Sequence, residues 1–276
     1  MQGNKSLVFF GTPRFAVFVL EELEKAGILP DLIVTAPDRP AGRGLVLTPP
    51  PVKNWALEHD IPCVQPPSLK TMNDELETIQ NSEWDLFVVA AYGNILPKAL
   101  VDAPAHGTLN VHPSLLPKFR GASPVVSQLL ADERTVGVSI MKLDEQMDHG
   151  PIVSQASITL ESWPMPAHDL EELLAREGGT LLAESMYPYI SGELKPTEQE
   201  HSAATYTRKI VKNDGLIDLG ADGYQNYLKY CAYDEWPGTF FFRDGVRYKI
   251  TSADLQNGSF VPLKVVPEGK REQDWR

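Results

Sequence analysis

The chain has 276 residues, 42% of them hydrophobic, enough for a sizeable core in one large domain or two ordinary ones. Its formal net charge of −12 argues against general polyanion binding, and no stretch approaches the roughly 20 apolar residues of a membrane-spanning helix. Cys63 and Cys231 stand far apart without a C-x-x-C or histidine partner, so neither a disulfide framework nor a metal site is expected.

The opening MQGNKSLVFFGTP has one lysine and a short apolar run broken by Gly11 and Pro13. That is too short for a secretory leader, and a cytoplasmic location is expected. SLVFFG (6–11) reads as a buried strand. RFAVFVLEELEKAG reads as a helix with Ala16, Val19, Leu20 and Leu23 on one face and Gly27 as its stop. DLIVTAP (31–37) reads as a second strand, and PDRPAGRGLVLTPPPVK (37–53) as a long connection rich in Pro and Gly. Long connections in compact domains tend to be functional or disordered. WDLFVVAAYG (84–93) is a third strand, too continuously apolar to be half-exposed. TLNVHPS, SPVVSQLLADER and VGVSIMKLD continue the alternation, and 167–190 carries a long helical pattern. Buried strands separated by helices predict an α/β fold, a Rossmann-like, mostly parallel sheet with helices on both faces.

The composition then changes. SGELKPTEQEHSAAT (191–205) is polar and reads as a linker. Beyond it, WPGTFFFRDGVRYKITSA has aromatic-rich runs joined by Asp-Gly, a hairpin signal. Residues 201–276 hold 11 Lys/Arg and 10 Asp/Glu, which leaves about −13 on the first 200. A catalytic domain over 1–190, a linker over 191–205 and a small β module over 206–276 are expected.

Within LNVHPSLLPKFRGASP (109–124), Asn110 and His112 fall on one face of a strand and Val111 on the other. Pro113 keeps His112 extended and cannot donate to a ladder, so the strand ends there. The carboxyl end of a parallel strand is where open α/β sheets bind ligands. A lone strand-end histidine is more often structural than catalytic. An amide donor beside a titratable base nevertheless suits an acyl-type oxyanion. The carboxylate that would set the histidine's charge is sought in MKLDEQMDHG (141–150), where composition leaves Asp144, Glu145 and Asp148 open. G-x-G-x-x-G, G-x-x-x-x-G-K-[ST] and G-x-S-x-G are all absent, which disfavours dinucleotide, P-loop and serine-hydrolase readings.

N-V-H-P-S-L-L-P-K-F-R-G-A-S-P, followed by L-D-E-Q-M-D-H-G-P, resembles the signature of the formyltransferases that use 10-formyltetrahydrofolate. F-G-T-P-R-F-A, A-P-D-R-P-A-G-R-G and A-T-Y-T-R-K-I narrow the resemblance to the branch that acts on methionyl-tRNA, over roughly residues 6–250. The resemblance implies a catalytic trio of Asn110, His112 and Asp148, thereby choosing among the three carboxylates. It implies 10-formyltetrahydrofolate as formyl donor and no metal. It places the folate against Ser114, Leu115, Leu116 and Pro117 and against the turn Tyr92, Gly93, Asn94, Ile95 and Leu96. It implies initiator methionyl-tRNA as partner, with the 37–53 loop reaching the acceptor stem through Arg43, and Arg39 and Lys53 beside it. Arg208, Lys209 and Lys212 are further phosphate candidates, with Arg247 and Lys249 weaker ones; Lys118 and Arg120 rank below the loop around Arg43. The family's C-terminal domain is an OB-like β-barrel, and residues 206–276 are short for one, so a truncated module is expected. No membrane partner is expected, and a monomer is. The alternatives are a related formyltransferase acting on a small amine (a sugar nucleotide or glycinamide ribonucleotide), a non-catalytic folate- or RNA-binding protein, and a nicotinamide-dependent oxidoreductase. The missing glycine fingerprint disfavours the last.

Overall fold

The computed structural model describes residues 5–42, 44–69 and 74–275. In chain order its first half runs β1 (Leu7–Gly11), α1 (Arg14–Lys25), β2 (Leu32–Val34), β3 (Arg39–Ala41), β4 (Val46–Thr48), α2 (Pro51–Glu58), β5 (Cys63–Val64), α3 (Asp74–Asn81), β6 (Leu86–Ala90), α4 (Lys98–Val101) and β7 (Thr108–His112). The rest runs β8 (Arg120–Gly121), α5 (Pro124–Leu130), β9 (Val136–Lys142), β10 (Ile152–Ile158), α6 (Ala167–Ile190), β11 (Tyr206–Thr207), α7 (Gly223–Ala232), β12 (Phe240–Arg243), β13 (Val246–Gln256), β14 (Ser259–Pro267) and β15 (Gln273–Asp274).

Seven strands form one sheet in the order β10-β9-β7-β6-β1-β2-β5. The β1–β2, β1–β6, β2–β5 and β6–β7 pairs are parallel, and β7–β9 is antiparallel. The order turns back on itself at β1 and β6, the switch point of a Rossmann-like sheet. Strand periodicity sorts the core into two layers. Leu7 and Phe9 of β1 pack with Val19, Leu20 and Leu23 of α1, Trp55 of α2 and Leu182 of α6. Val8 and Phe10 pack with Leu76 and Ile79 of α3 and with Leu100 and Val101 of α4. Both faces of β1 are therefore dry, which is why its sequence is continuously apolar rather than alternating.

The connection over 37–53 is shorter in irregular chain than its composition predicts. β3 and β4 pair antiparallel within it, Arg39 opposite Thr48. Pro51 opens α2 at the first helical position, where its missing N–H costs nothing, so Lys53 is helical.

The chain divides into two compact units. The first comprises the described residues of Met1–Lys118, Gly137–Ser157 and Glu172–Ala204; the second comprises those of Phe119–Val136, Ile158–Glu171 and Thr205–Arg276. The second unit contains a four-stranded antiparallel sheet, β12-β13-β14-β15, around Ile217, Phe241, Ile250, Phe260 and Val265. The Asp-Gly signal is a two-residue hairpin: Asp244 and Gly245 both take positive φ, and Arg243 pairs with Val246. A register shift near Ser252 marks a bulge in the β13–β14 pair. In the same unit, β8 pairs in parallel with β11, so the A-T-Y segment is hydrogen-bonded to the F-R-G segment.

Candidate active site

β7 presents its residues by the two-residue period. Leu109 and Val111 enter the layer shared with α1 and α6. Thr108, Asn110 and His112 point to the opposite side, and Thr108 Oγ1 donates to Val101 O of α4 at 2.8 Å. Asn110 is half-buried and stands opposite Val89 of β6, while His112 is 4% exposed at the strand's carboxyl end.

The carboxylate comes from the turn between β9 and β10. Asp148 Oδ1 lies 3.7 Å from His112 Nδ1. Asp148 has a φ of +50°, a left-handed conformation costly for most side chains and tolerated by aspartate. Two residues on, Gly150 runs so close to β9 that a Cβ there would meet Lys142 O at 2.0 Å. The other two carboxylates of this turn are engaged elsewhere. Asp144 accepts from His149 Nδ1 at 2.6 Å and from Gln146 N at 2.8 Å, and Glu145 pairs with Lys98 at 2.7 Å.

The stretch after His112 is built from below by polar groups that sequence reading passed over. Ser139 Oγ donates to Ser114 O at 2.6 Å and accepts from Leu116 N at 3.1 Å. Gln155 Nε2 donates to Leu116 O at 2.9 Å and to Ser139 Oγ at 2.8 Å. Ser114 Oγ closes the turn on Lys118 O at 2.7 Å. Ser114 and Leu116 are buried, and Leu115 and Pro117 are partly exposed. Neither Ser139 on buried β9 nor Gln155 on half-buried β10 carries a sequence signal of this role, because their partners lie on another loop.

The turn after β6 divides its five residues. The Tyr92 and Leu96 side chains belong to the apolar layer of α3 and α4, and Tyr92 packs edge-on to Phe10 at 5.6 Å. Burial pushes the Tyr92 hydroxyl up to about 12. Tyr92 thus offers its main chain, and its carbonyl accepts from Thr12 Oγ1 at 3.0 Å. Gly93 takes a φ of +84° with open space where a Cβ would stand. Asn94 is exposed and Ile95 is 82% exposed, an apolar side chain standing in solvent beside that opening.

The basic candidates differ in how they are held. Arg39 is exposed on β3, and Arg43 lies outside the described residues. Lys53 grips both oxygens of Asp38 at 2.8 and 2.9 Å, and this ion pair, first through its hydrogen bond, holds Asp38 below the usual carboxylate range. In the second unit Arg208 forks onto Asp214 at 2.6 and 2.8 Å, whereas Lys209, Lys212 and Lys249 are exposed. Arg247 lies over the Phe240 ring at 4.0 Å. Arg120 is 2% exposed, its guanidinium 6.0 Å from the centre of the Tyr206 ring. Among the described residues no group of three His, Cys, Asp or Glu side chains is placed to hold a metal, and no helix is long and apolar enough to cross a membrane.

The family model described as formyl transferase matches residues 4–184. The chain belongs to this family. It is 42% identical over 262 residues to the methionyl-tRNA formyltransferase of Chloroflexus aurantiacus, covering 94% of this chain and 84% of the relative. Among solved structures of the same fold, an N-formyltransferase from Helicobacter canadensis, in complex with folinic acid and dTDP-3-aminofucose, superposes with a TM-score of 0.68 at 20% identity. That match covers 92% of this chain and 88% of the other. The methionyl-tRNA formyltransferase of Clostridium thermocellum superposes with a TM-score of 0.60 at 14% identity, covering 98% of this chain and all of the other. Asn110 and His112 lie inside the segment that defines the family, as do Asp148 and its turn.

Proposed function

We propose that the chain transfers the formyl group of 10-formyltetrahydrofolate to the α-amino group of methionyl-tRNA, giving formylmethionyl-tRNA and tetrahydrofolate in the cytoplasm. The observation that carries this reading is Asn110 and His112 on one face of a strand end with Asp148 at 3.7 Å, in a chain 42% identical to a methionyl-tRNA formyltransferase. The structural matches to sugar and tRNA enzymes are at 20% identity or less and speak only to the fold, so the acceptor rests on the sequence relatives.

The chemistry assigns each group a task. The attacking amine is neutral, and its bond to the formyl carbon forms as the carbonyl π electrons move to oxygen. The bond from that carbon to N10 breaks as the tetrahedral species collapses and N10 takes the proton. Negative charge develops on the formyl oxygen, where the Asn110 amide N–H and a His112 ring N–H donate hydrogen bonds. Asp148, with Oδ1 3.7 Å from His112 Nδ1, orients the ring and orders a water that carries the amine's proton toward the departing N10. Water exclusion around a 4% exposed histidine strengthens each of these interactions.

The folate is read as binding against Ser114–Pro117 and the Tyr92–Leu96 turn. A flat ring can approach the main chain at Gly93, where no Cβ intervenes, with Ile95 as an apolar cover. For the tRNA, Arg39, Arg43 and Lys53 serve the acceptor end. The second unit, whose C-terminal sheet is read as an OB-like module, offers Arg208, Lys209 and Lys212, which precede that sheet in the chain, to phosphates. Single-stranded ends are held by local basic groups and stacking, so a net charge of −12 is no obstacle.

The test is incubation with 10-formyltetrahydrofolate and charged initiator tRNA, with free amino sugars and uncharged tRNA as controls. Formyl transfer to methionyl-tRNA alone is expected, with tRNA affinity falling steeply as salt rises. Transfer to the amino sugar in preference to the charged tRNA would overturn the assignment of the acceptor.

A further inference from the structure

We infer that Gln199 is a positioning residue for Asp148. It lies in the polar stretch that reads as a linker, yet it is 5% exposed. Its Nε2 donates to Asp148 O at 3.0 Å and to Gly150 O at 2.7 Å. One carboxamide nitrogen carries two N–H groups, so both carbonyls are served by a single side chain. Those carbonyls bracket His149 and fix the backbone on either side of it. Asp148 itself sits at a φ of +50°, a conformation that persists only where the surroundings determine it.

The neighbouring residues show that this grip is local and built. Thr197 and Ile152 exchange both main-chain hydrogen bonds at 2.8 Å, which docks the segment on the start of β10. The His201 ring stacks on His149 at 4.1 Å with an interplanar angle of 3°. Residues 197–201 thus hold 148–152 at three points, and the middle one is a direct hydrogen bond to the Asp148 carbonyl. Replacing Gln199 leaves the Thr197 bridge and the histidine stack in place and releases the Asp148 carbonyl. The backbone that aims the Asp148 carboxylate at His112 then loses this hydrogen bond. A displacement of about 1 Å in a reacting constellation costs up to about a hundredfold in rate.

The inference rests on the reading that Asp148 acts with His112 in formyl transfer, and the experiment separates the two. Steady-state formylation of methionyl-tRNA is measured for the wild type, Gln199→Met, Asp148→Asn and the double variant. Gln199→Glu, which keeps the length and replaces the donor by an acceptor, is the second probe. Both Gln199 variants are expected to lower kcat roughly ten- to a hundredfold with KM for folate and tRNA nearly unchanged. In the Asp148→Asn background Gln199→Met should change kcat by less than about twofold, because the group it positions is already gone. If Asp148→Asn is impaired but the two substitutions multiply, or if Gln199→Met raises KM and spares kcat, Gln199 has only a structural role and the inference fails. If Asp148→Asn turns over like the wild type, the role of Asp148 fails and the inference falls with it.

Discussion

Asp148 Oδ1 lies 3.7 Å from His112 Nδ1, and the two residues reach that distance from different parts of the sheet. His112 ends β7, which pairs in parallel with β6, and Asp148 sits in the turn that follows the antiparallel neighbour β9. The pairing of Asn110 with Met141 and of His112 with Ser139 sets the register between them. A slip of one residue would turn every side chain of β7 to the other face and take Asn110 and His112 away from Asp148 together. The chemistry therefore depends on sheet register as much as on side-chain identity.

Ser139→Ala is expected to loosen the wall after His112. It removes the Oγ that serves Ser114 O, Leu116 N and Gln155 Nε2, and it leaves buried polar groups unpaired at about 1–3 kcal/mol. KM for 10-formyltetrahydrofolate should rise several-fold with kcat little changed. Steady-state kinetics at saturating tRNA checks this, and a fall in kcat at constant KM would contradict it.

Gly150→Ala is expected to displace the Asp148 turn. A Cβ at this position would meet Lys142 O at 2.0 Å, and the strand that carries Lys142 cannot yield without disturbing β7. Overpacking of this kind costs about 1–3 kcal/mol. Denaturant unfolding should show that loss, and kcat should fall at least tenfold while the folded protein still binds folate.

Asp214→Asn is expected to remove an acid-dependent component of stability in the second unit. The Arg208 fork, together with Val211 N, holds the Asp214 carboxyl down at about 2. The folded value is below the unfolded value, so this carboxylate contributes stability above about pH 4 that is lost as pH falls toward about 2. The wild type should lose stability across that window more steeply than the Asn variant. Denaturant titrations read by circular dichroism at several pH values check it, and parallel curves for the two proteins would contradict it.

Much of the architecture is legible in the sequence because both faces of the sheet are covered. Runs such as Leu7–Gly11 and Leu86–Ala90 are apolar throughout, and the α1 stripe of Ala16, Val19, Leu20 and Leu23 is what a helix packed on such a sheet requires. The short elements were less legible. β5 has two residues and α4 has four, too few for either period to register. Asp244–Gly245 announces its hairpin, and the Asn257–Gly258 turn between β13 and β14 carries the same positive-φ chemistry that the reading passed over.

The site shows the same division. Asn110 and His112 could be paired from strand periodicity and Pro113, since both facts are local. Nothing in composition separates Asp148 from Asp144 and Glu145; their partners, His112, His149 and Lys98, distinguish them, and those follow from the fold. Ser139, Gln155 and Gln199 were invisible for the same reason. Each is an ordinary polar residue whose role consists of hydrogen bonds to the main chain of a distant loop.

The most direct measurement of the central claim is single-turnover formyl transfer in a preformed complex with 10-formyltetrahydrofolate and methionyl-tRNA, comparing the wild type with Asn110→Ala, His112→Ala and Asp148→Ala. Each variant is expected to slow the transfer by roughly a hundred- to a thousandfold, with folate and tRNA affinities within a few-fold of the wild type. Transfer at the wild-type rate by these variants, with weakened folate binding instead, would contradict the account.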